Sequence, residues 1–323
     1  MLTVRVDRGC MRGHDRAERE NDPAAPEPAG WQLSEGEEIG PGLRALRLLG
    51  TSNTHDVYLA WDEVRYTLVA AKLLLPHRVA DPGARDELAH EGALLRDVDH
   101  PVLPRCFGSS LDGRMPHIAI EYVDGPRLST VIRRQRFLAV EQIVPLLQQV
   151  CGALHYLAGR GLVHLDVKPK NVIMSPPPRL IDLSVARTID EARATTGPVG
   201  TDPYMAPEQT GTGSAASISP ATDVWGLGVT LFESLSGERP FPPGDRDGSP
   251  TERFPQLALE PALLEGEMPA ELEAIVRATL ERRPESRPTA AEVADALGPV
   301  LEAAPRSLLL GRFRVKTWRP ASA

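Results

Sequence analysis

The stretch HLDVKPKN, residues 164–171, decides how the rest of the chain is read. It sets a carboxylate (Asp166), an ammonium (Lys168) and an amide (Asn171) on one short segment that follows a long apolar-periodic run. Eleven residues beyond Asn171, Asp182 closes the strand-like PRLID. A carboxylate and an amide at strand ends, both near an ammonium, suit a divalent cation and a polyphosphate. Magnesium takes few protein oxygens and shares its other positions with phosphate and water. Taken alone, Asp166 and Asn171 fit turn-forming roles equally well, and His164 fits a hydrogen-bonded core histidine.

Upstream, VAAK ends in Lys72 on a strand-like run. Of 36 basic residues only Lys72, Lys168, Lys170 and Lys316 are lysines. A lysine among Val69, Ala70, Ala71 and Leu73 therefore reads as a functional amine rather than an edge residue reaching for water. Glu91 on the following helix, or Glu87 one turn earlier, is spaced to pair with it. Further upstream, LGTSNTHDVYLA (49–60) has the outline of a phosphate-cradling loop with one glycine, Gly50, and with Ser52 and His55 where further glycines would relieve crowding.

The 323 residues carry a formal net charge of −8, which argues against nucleic acid as the main partner. Three scattered cysteines suit neither a disulfide framework nor a zinc site. No apolar run is long enough for a membrane span, and the N-terminus lacks a signal-peptide core, so a soluble, cytoplasmic chain is expected. No pattern specifies an oligomer.

Residues 1–38 mix charge with NDPAAPEPAG and read as a loosely held tail. From Leu43 to Tyr122 five short apolar runs predict strands, interrupted by GARDELAHEGALLRDV with helical spacing. Beyond Gly125 the chain turns helical. The runs AVEQIVPLLQQVCGALHYLAGRG, ATDVWGLGVTLFESLSG, PAELEAIVRATLERR and TAAEVADALGPVLEAA predict helices. Pro145 falls early in the first of these, as a kink or within its first turns. An α+β, two-lobed arrangement follows, with a small β-rich lobe at 39–123, a larger helical lobe at 124–303 and a basic tail at 304–323.

The ordered set VAAK, a helix glutamate, HLDVKPKN, DLS, GTDPYMAPE, DVWGLGVTLFE and a late Arg-Pro resembles a eukaryotic-type (Hanks-type) bacterial serine/threonine protein kinase, over roughly Leu43 to Leu301. The resemblance implies a bilobal kinase fold, ATP and Mg2+ as cofactors, and Ser/Thr-bearing proteins as substrates. It places Lys72, paired with Glu91, on the α- and β-phosphates, and Asn171 and Asp182 on the metal. Asp166 would take the substrate hydroxyl's proton, Lys168 would steady the γ-phosphate, and Thr201 would bridge the two. Gly50, Val57, Ala70, Ile173 and the backbone of Glu121 and Val123 would hold the nucleotide, with Ile120 gating the rear pocket. Asp223 would tie down the catalytic loop, and Glu208 would pair with Arg287.

The sequence departs from the family pattern in three places. Ser52 and His55 replace loop glycines, Leu183-Ser184 replaces Phe-Gly after the metal aspartate, and Leu165 replaces the arginine before the catalytic aspartate. None removes a charge that touches ATP, magnesium or the hydroxyl. The loop reads as modified but working, still offering backbone N–H groups to phosphate. A scaffold that holds ATP weakly or without turnover is the competing reading. A small-molecule phosphotransferase is disfavoured by Lys168 and by the substrate-platform stretch GTDPYMAPE.

Overall fold

The computed structural model describes residues 30–212, 217–264 and 268–303. The basic tail expected at 304–323, and most of the N-terminal tail, lie outside the described residues. Six strands form one antiparallel sheet: β1 (Glu38–Gly40), β2 (Leu43–Thr51), β3 (His55–Asp62), β4 (Thr67–Leu74), β5 (Cys106–Ser110) and β6 (His117–Glu121). They lie in the order β1-β2-β3-β4-β6-β5. The β3–β4 turn is set by Asp62, whose Oδ1 accepts the N–H groups of Val64 and Arg65, each at 2.9 Å. The strand expected before Leu43 was none, whereas β1 adds a short sixth strand at Glu38.

Alternation along the strands gives this sheet two buried faces. Tyr58, Ala60, Val69, Ala71 and Leu73 join Ile39, Leu43 and Ala45 in an outer cluster, and Trp31 and Leu33 pack on it. Trp31 donates its indole N–H to Leu74 O at 2.6 Å and its backbone N–H to Asp56 at 2.9 Å. Residues 30–38 are thus part of the small lobe, a correction to the loose tail expected through residue 38. Its anchors are distant in sequence, and its own composition is polar.

The other face packs on α1 (Pro82–Asp97). Asp81 caps this helix by accepting from Gly83 and Ala84, and Pro82 opens it. A Cβ at Gly92 would lie 3.0 Å from Ile118 Cγ2, so the glycine lets helix and sheet approach closely. The core reached here runs without interruption from Leu88 and Leu95 to Leu147 and Trp225 in the helical lobe.

The helical lobe contains α2 (Leu128–Gln135), α3 (Val140–Gly159), α4 (Ile189–Ala194), α5 (Pro220–Ser236), α6 (Pro250–Arg253), α7 (Ala270–Thr279) and α8 (Ala290–Ala303). Short strand pairs β7 (Leu162–Val163) with β10 (Arg187–Thr188), and β8 (Val172–Ile173) with β9 (Arg179–Leu180), carry the loops of interest. Pro145 lies inside α3, in its second turn. Helices α2, α4 and α6 were not expected, because each is too short to display a period. Helix α5 is buried on nearly every side, as an element apolar all round must be. Its Gly226 backs onto the catalytic loop, where a Cβ would come within 2.8 Å of Val167 O.

The expected Glu208–Arg287 pair is present and fully buried. Arg287 binds the two carboxylate oxygens at 2.7 and 2.9 Å, and Thr222 donates to the same carboxylate at 2.8 Å. The remaining guanidinium N–H groups reach Glu281 O, Ala221 O and Arg282 O. Removing one partner strands the other charge. Arg287→Met is therefore expected to cost about 3–5 kcal/mol in denaturant unfolding. A loss below about 1 kcal/mol, the scale of a surface pair, would contradict this assignment.

Candidate active site

Lys72 lies on the inner face of β4. Directly opposed residues on antiparallel strands share a face, and Val57 opposes Lys72 while His55 opposes Leu74. Val57, Ala70 and Lys72 accordingly line one surface. The Lys72 ammonium binds Glu91 at 3.0 and 2.7 Å and Asp182 at 2.9 Å. Glu87 is exposed, so Glu91 is the partner that the sequence left open. Burial works against the Lys72 ammonium, but the Asp182 and Glu91 carboxylates outweigh it and raise its pKa. For Asp182, burial is likewise outweighed, here by Lys72, and the carboxyl is held below its ordinary range. Burial pushes Glu91 upward against the pull of Lys72; its two short contacts identify it as an ion-paired carboxylate all the same.

The catalytic loop is held by its backbone. Asp223, in the first turn of α5, accepts the N–H groups of His164 and Leu165, each at 2.8 Å. Leu165 has φ 65°, a left-handed conformation that leucine rarely adopts, and its carbonyl accepts from Gln209 at 2.8 Å. A Cβ at Gly200 would lie 2.6 Å from that carbonyl, so only glycine fits there.

This anchoring brings Asp166, Lys168, Thr201 and Asn171 together. Lys168 donates to Asp166 Oδ2 at 2.7 Å and to Thr201 Oγ1 at 2.6 Å, and Thr201 donates to Asp166 Oδ1 at 2.7 Å. Asn171 donates from Nδ2 to both the carbonyl and the carboxylate of Asp166, each at 3.0 Å. Asn171 O accepts from Ile181, which fixes Asp182 relative to the loop. With its NH2 group committed to Asp166, the oxygen that Asn171 can offer a cation is Oδ1. Asp182 binds Lys72 through Oδ1, and its side chain is 36% exposed. These are hard oxygen donors, too few for an all-protein cage. Among the described residues no group of three or more His, Cys, Asp or Glu could hold a metal. That set fits magnesium bound largely through a nucleotide's phosphates.

Around this centre, Ile173 touches the β6–α2 connection at Gly125, and Glu121 pairs with Arg179 at 3.1 Å while Ile120 sits beside Ala70 in the β4–β6 ladder. Val123 belongs to that same connection. Nothing lies within 4 Å of where a Gly50 Cβ would be, so its bare backbone borders open space. The β2–β3 loop differs from expectation. Ser52 Oγ accepts the N–H groups of His55 at 3.0 Å and Thr54 at 3.3 Å, and Ser52 N–H donates to His55 O at 2.8 Å. The N–H groups of Ser52, Thr54 and His55 are thus bonded within the loop, two of them to the serine hydroxyl, which competes for neighbouring N–H groups.

The other two departures also have local explanations. Burial pushes the Asp182 carboxyl up, and the stronger opposing pull of Lys72 is joined by a smaller downward one from the Ser184 side chain. Leu165 is buried with Val163, Ala192 and Ile218, and Val185, Ile189 and Val199 pack on them. Apolar contact holds the segment after Asp182 where the family's arginine would await a phosphate.

The chain matches the protein kinase domain family over residues 43–296. It belongs to that family. The kinase domain is 32% identical to the serine/threonine-protein kinase PknA of Mycobacterium tuberculosis over 253 residues, 76% of this chain and 57% of the relative. It is 28% identical to PknB of the same organism over 272 residues, 81% of this chain and 42% of that relative. The chain thus spans little more than half of PknA and less than half of PknB. Among the described residues no helix of the kinase domain is long and apolar enough to cross a membrane.

His55 supplies a pH test of this geometry. Burial, then the Lys72 ammonium, push its pKa down to about 3. Between about pH 6.5 and 3 the unfolded chain binds a proton at this ring that the folded chain does not. Stability contributed by the neutral ring is therefore complete above that window and is lost as pH falls through it, by up to about 1.4 kcal/mol per pH unit. Chemical unfolding across the window should show a shallower acid loss for His55→Gln than for the parent; parallel profiles would contradict the burial of this ring.

Proposed function

We propose that this chain transfers the γ-phosphoryl group of ATP, with Mg2+, to Ser or Thr hydroxyls of protein substrates. The observation that carries this reading is the joined array of Asp166, Lys168, Thr201 and Asn171 beside the Lys72–Glu91–Asp182 ion cluster. Support for the reading comes from the side chains themselves: two ammonium groups, two carboxylates and an amide suited to phosphoryl transfer are held close together. Bound magnesium and ATP would supply charge neutralisation and the transferable group.

Lys72 would orient the α- and β-phosphates, its own direction fixed by Glu91. Asp182 and Asn171 Oδ1 would hold the metal. Asp166 would accept the proton of the incoming hydroxyl, with Lys168 and Thr201 keeping its carboxylate in place. Lys168 would also stabilise charge on the γ-phosphate. Gly50, Val57, Ala70, Ile173 and the backbone of Glu121 and Val123 would form the nucleotide's surroundings. These are positioning and electrostatic roles, from which phosphoryl transfer draws most of its rate. The amides closed within the β2–β3 loop favour slow turnover over none, since the side-chain charges do not depend on them.

Transfer from radiolabelled ATP to a generic basic protein tests the reading. Asp166→Asn should cut turnover by about two or more orders of magnitude with nucleotide binding nearly intact. Asp182→Ala should abolish magnesium-dependent transfer, and Thr201→Ala should slow it. Parent-like transfer by Asp166→Asn would overturn the assignment. Leu165 leads to a second expectation. With apolar packing in place of an arginine–phosphate pair, Thr195→Ala combined with Thr196→Ala should change the rate little. A silent double variant, restored by acidic residues at those positions, would contradict it.

A further inference from the structure

Thr201 touches Asp166, and the two residues after it open a second site. Asp202 and Pro203 form one wall of a cavity of about 170 Å3, which Arg239, Phe241, Arg246 and Arg253 also line. The walls are fixed by the fold. Gln256 donates to Asp202 O at 3.2 Å and to Met205 O at 3.0 Å, which holds the Thr201 segment against the chain after α6. Phe241 stacks on Trp225 with ring centroids 5.7 Å apart. Asp245 N–H donates to Glu252 O at 3.0 Å, and a Cβ at Gly244 would strike Arg253 O, so the turn bearing Arg246 lies hard against α6.

The charge of this cavity is unbalanced. Three guanidinium groups meet one carboxylate, and that carboxylate, Asp202, is already taken by Arg253 at 2.9 and 3.4 Å. Nearby acids are engaged as well: Asp245 accepts from Asp247 N–H, Glu252 from Ser249 N–H and Glu233 from the Tyr204 hydroxyl. Among the described residues Arg246 is exposed and makes no hydrogen bond or ion pair, and Arg239 acts on Glu233 through charge without a direct bond. Guanidinium groups of this kind suit a carboxylate or phosphate, which accepts two parallel N–H bonds. In a chain of net charge −8, a basic hollow beside the place of the acceptor hydroxyl is a local exception. We propose that this cavity is a substrate-specificity site, taking an acidic side chain of the protein substrate within about four residues of the Ser or Thr that meets Asp166, at about 3.3 Å of extended chain per residue. The proposal rests on the transfer to protein hydroxyls proposed above and adds which proteins fit, namely acid-flanked ones selected by Arg239 and Arg246. The cavity adjoins the Asp166 array only through the Thr201 segment, so the preference falls on one flank of the acceptor.

The test is steady-state transfer by the full chain to matched serine peptides, each with one Glu, Gln or phosphoserine moved along either flank. For the parent, Glu or phosphoserine on one flank should lower KM about tenfold against Gln, with kcat little changed. Raising salt from about 0.05 to about 0.5 M should shrink that advantage. Arg239→Gln combined with Arg246→Gln should remove it while leaving the kinetics of the Gln peptides unchanged, which reports a folded variant. Arg246→Glu should turn the preference toward a peptide bearing Arg at the same position. Equal KM for Glu and Gln peptides at every position would overturn the proposal, as would an acid preference that survives the double variant. A parent that transfers to a basic protein but to no acid-flanked peptide overturns this proposal alone. A parent that transfers to neither overturns the proposed function with it.

Discussion

One ammonium holds the two lobes in working relation. Lys72 comes from the sheet, Glu91 from α1 and Asp182 from the segment after β9, and among the described residues no other ion pair joins all three elements. A cation this deeply buried is tolerable only beside carboxylates, and the buried Glu91 carboxylate is tolerable only beside it, while Asp182 keeps partial contact with water. The arrangement is mutually dependent, so displacing α1 or the Asp182 segment leaves uncompensated charge. The same cluster keeps Lys72 charged and aimed along the surface that Val57 and Ala70 extend. Nucleotide phosphates would meet a cation whose direction the fold has already fixed.

A second anchor of similar kind lies in the helical lobe. Asp223 takes two backbone N–H groups of the catalytic loop, and Gln209 takes up the Leu165 carbonyl that Gly200 leaves room for. The left-handed turn at Leu165 persists because these bonds over-determine it. Its side chain is then directed into the cluster with Ala192 and Ile218, and so couples the loop to the segment carrying Thr201 by burial rather than by charge. The departure from arginine is a change in the physical means of holding that segment, from an ionic contact that a modification could supply to an apolar one already made.

Much of this was legible in the sequence because the informative residues are scarce types at fixed spacings. Lys72 and Lys168 are conspicuous in a chain whose bases are mostly arginine, and the roles of Asp166, Asn171 and Asp182 are implied by the family resemblance of the ordered motifs. Strands β2 to β6, α1, α3, α5, α7 and α8 were readable from their periods. What the sequence withheld depends on distant contact. Trp31 makes its hydrogen bonds to residues 25 and 43 positions away, and nothing in its polar neighbourhood signals them. The choice of Glu91 over Glu87, one turn apart on the same face, required knowing which turn of α1 lies opposite Lys72. The closure of the β2–β3 loop by Ser52 required knowing that its hydroxyl turns inward onto the loop's own N–H groups, which the sequence reading took as available to phosphate.

The central claim is that a site assembled by buried charge, with its loop closed by Ser52 and its segment held by Leu165, transfers phosphate. Intact-protein and peptide mass spectrometry of the purified chain, incubated with ATP and magnesium in the presence of a protein acceptor, tests this most directly. The account predicts phosphate on Ser or Thr residues of the acceptor or of the chain itself, absent when magnesium is withheld. Nucleotide binding at saturating ATP and magnesium with no phosphate on any residue would contradict it.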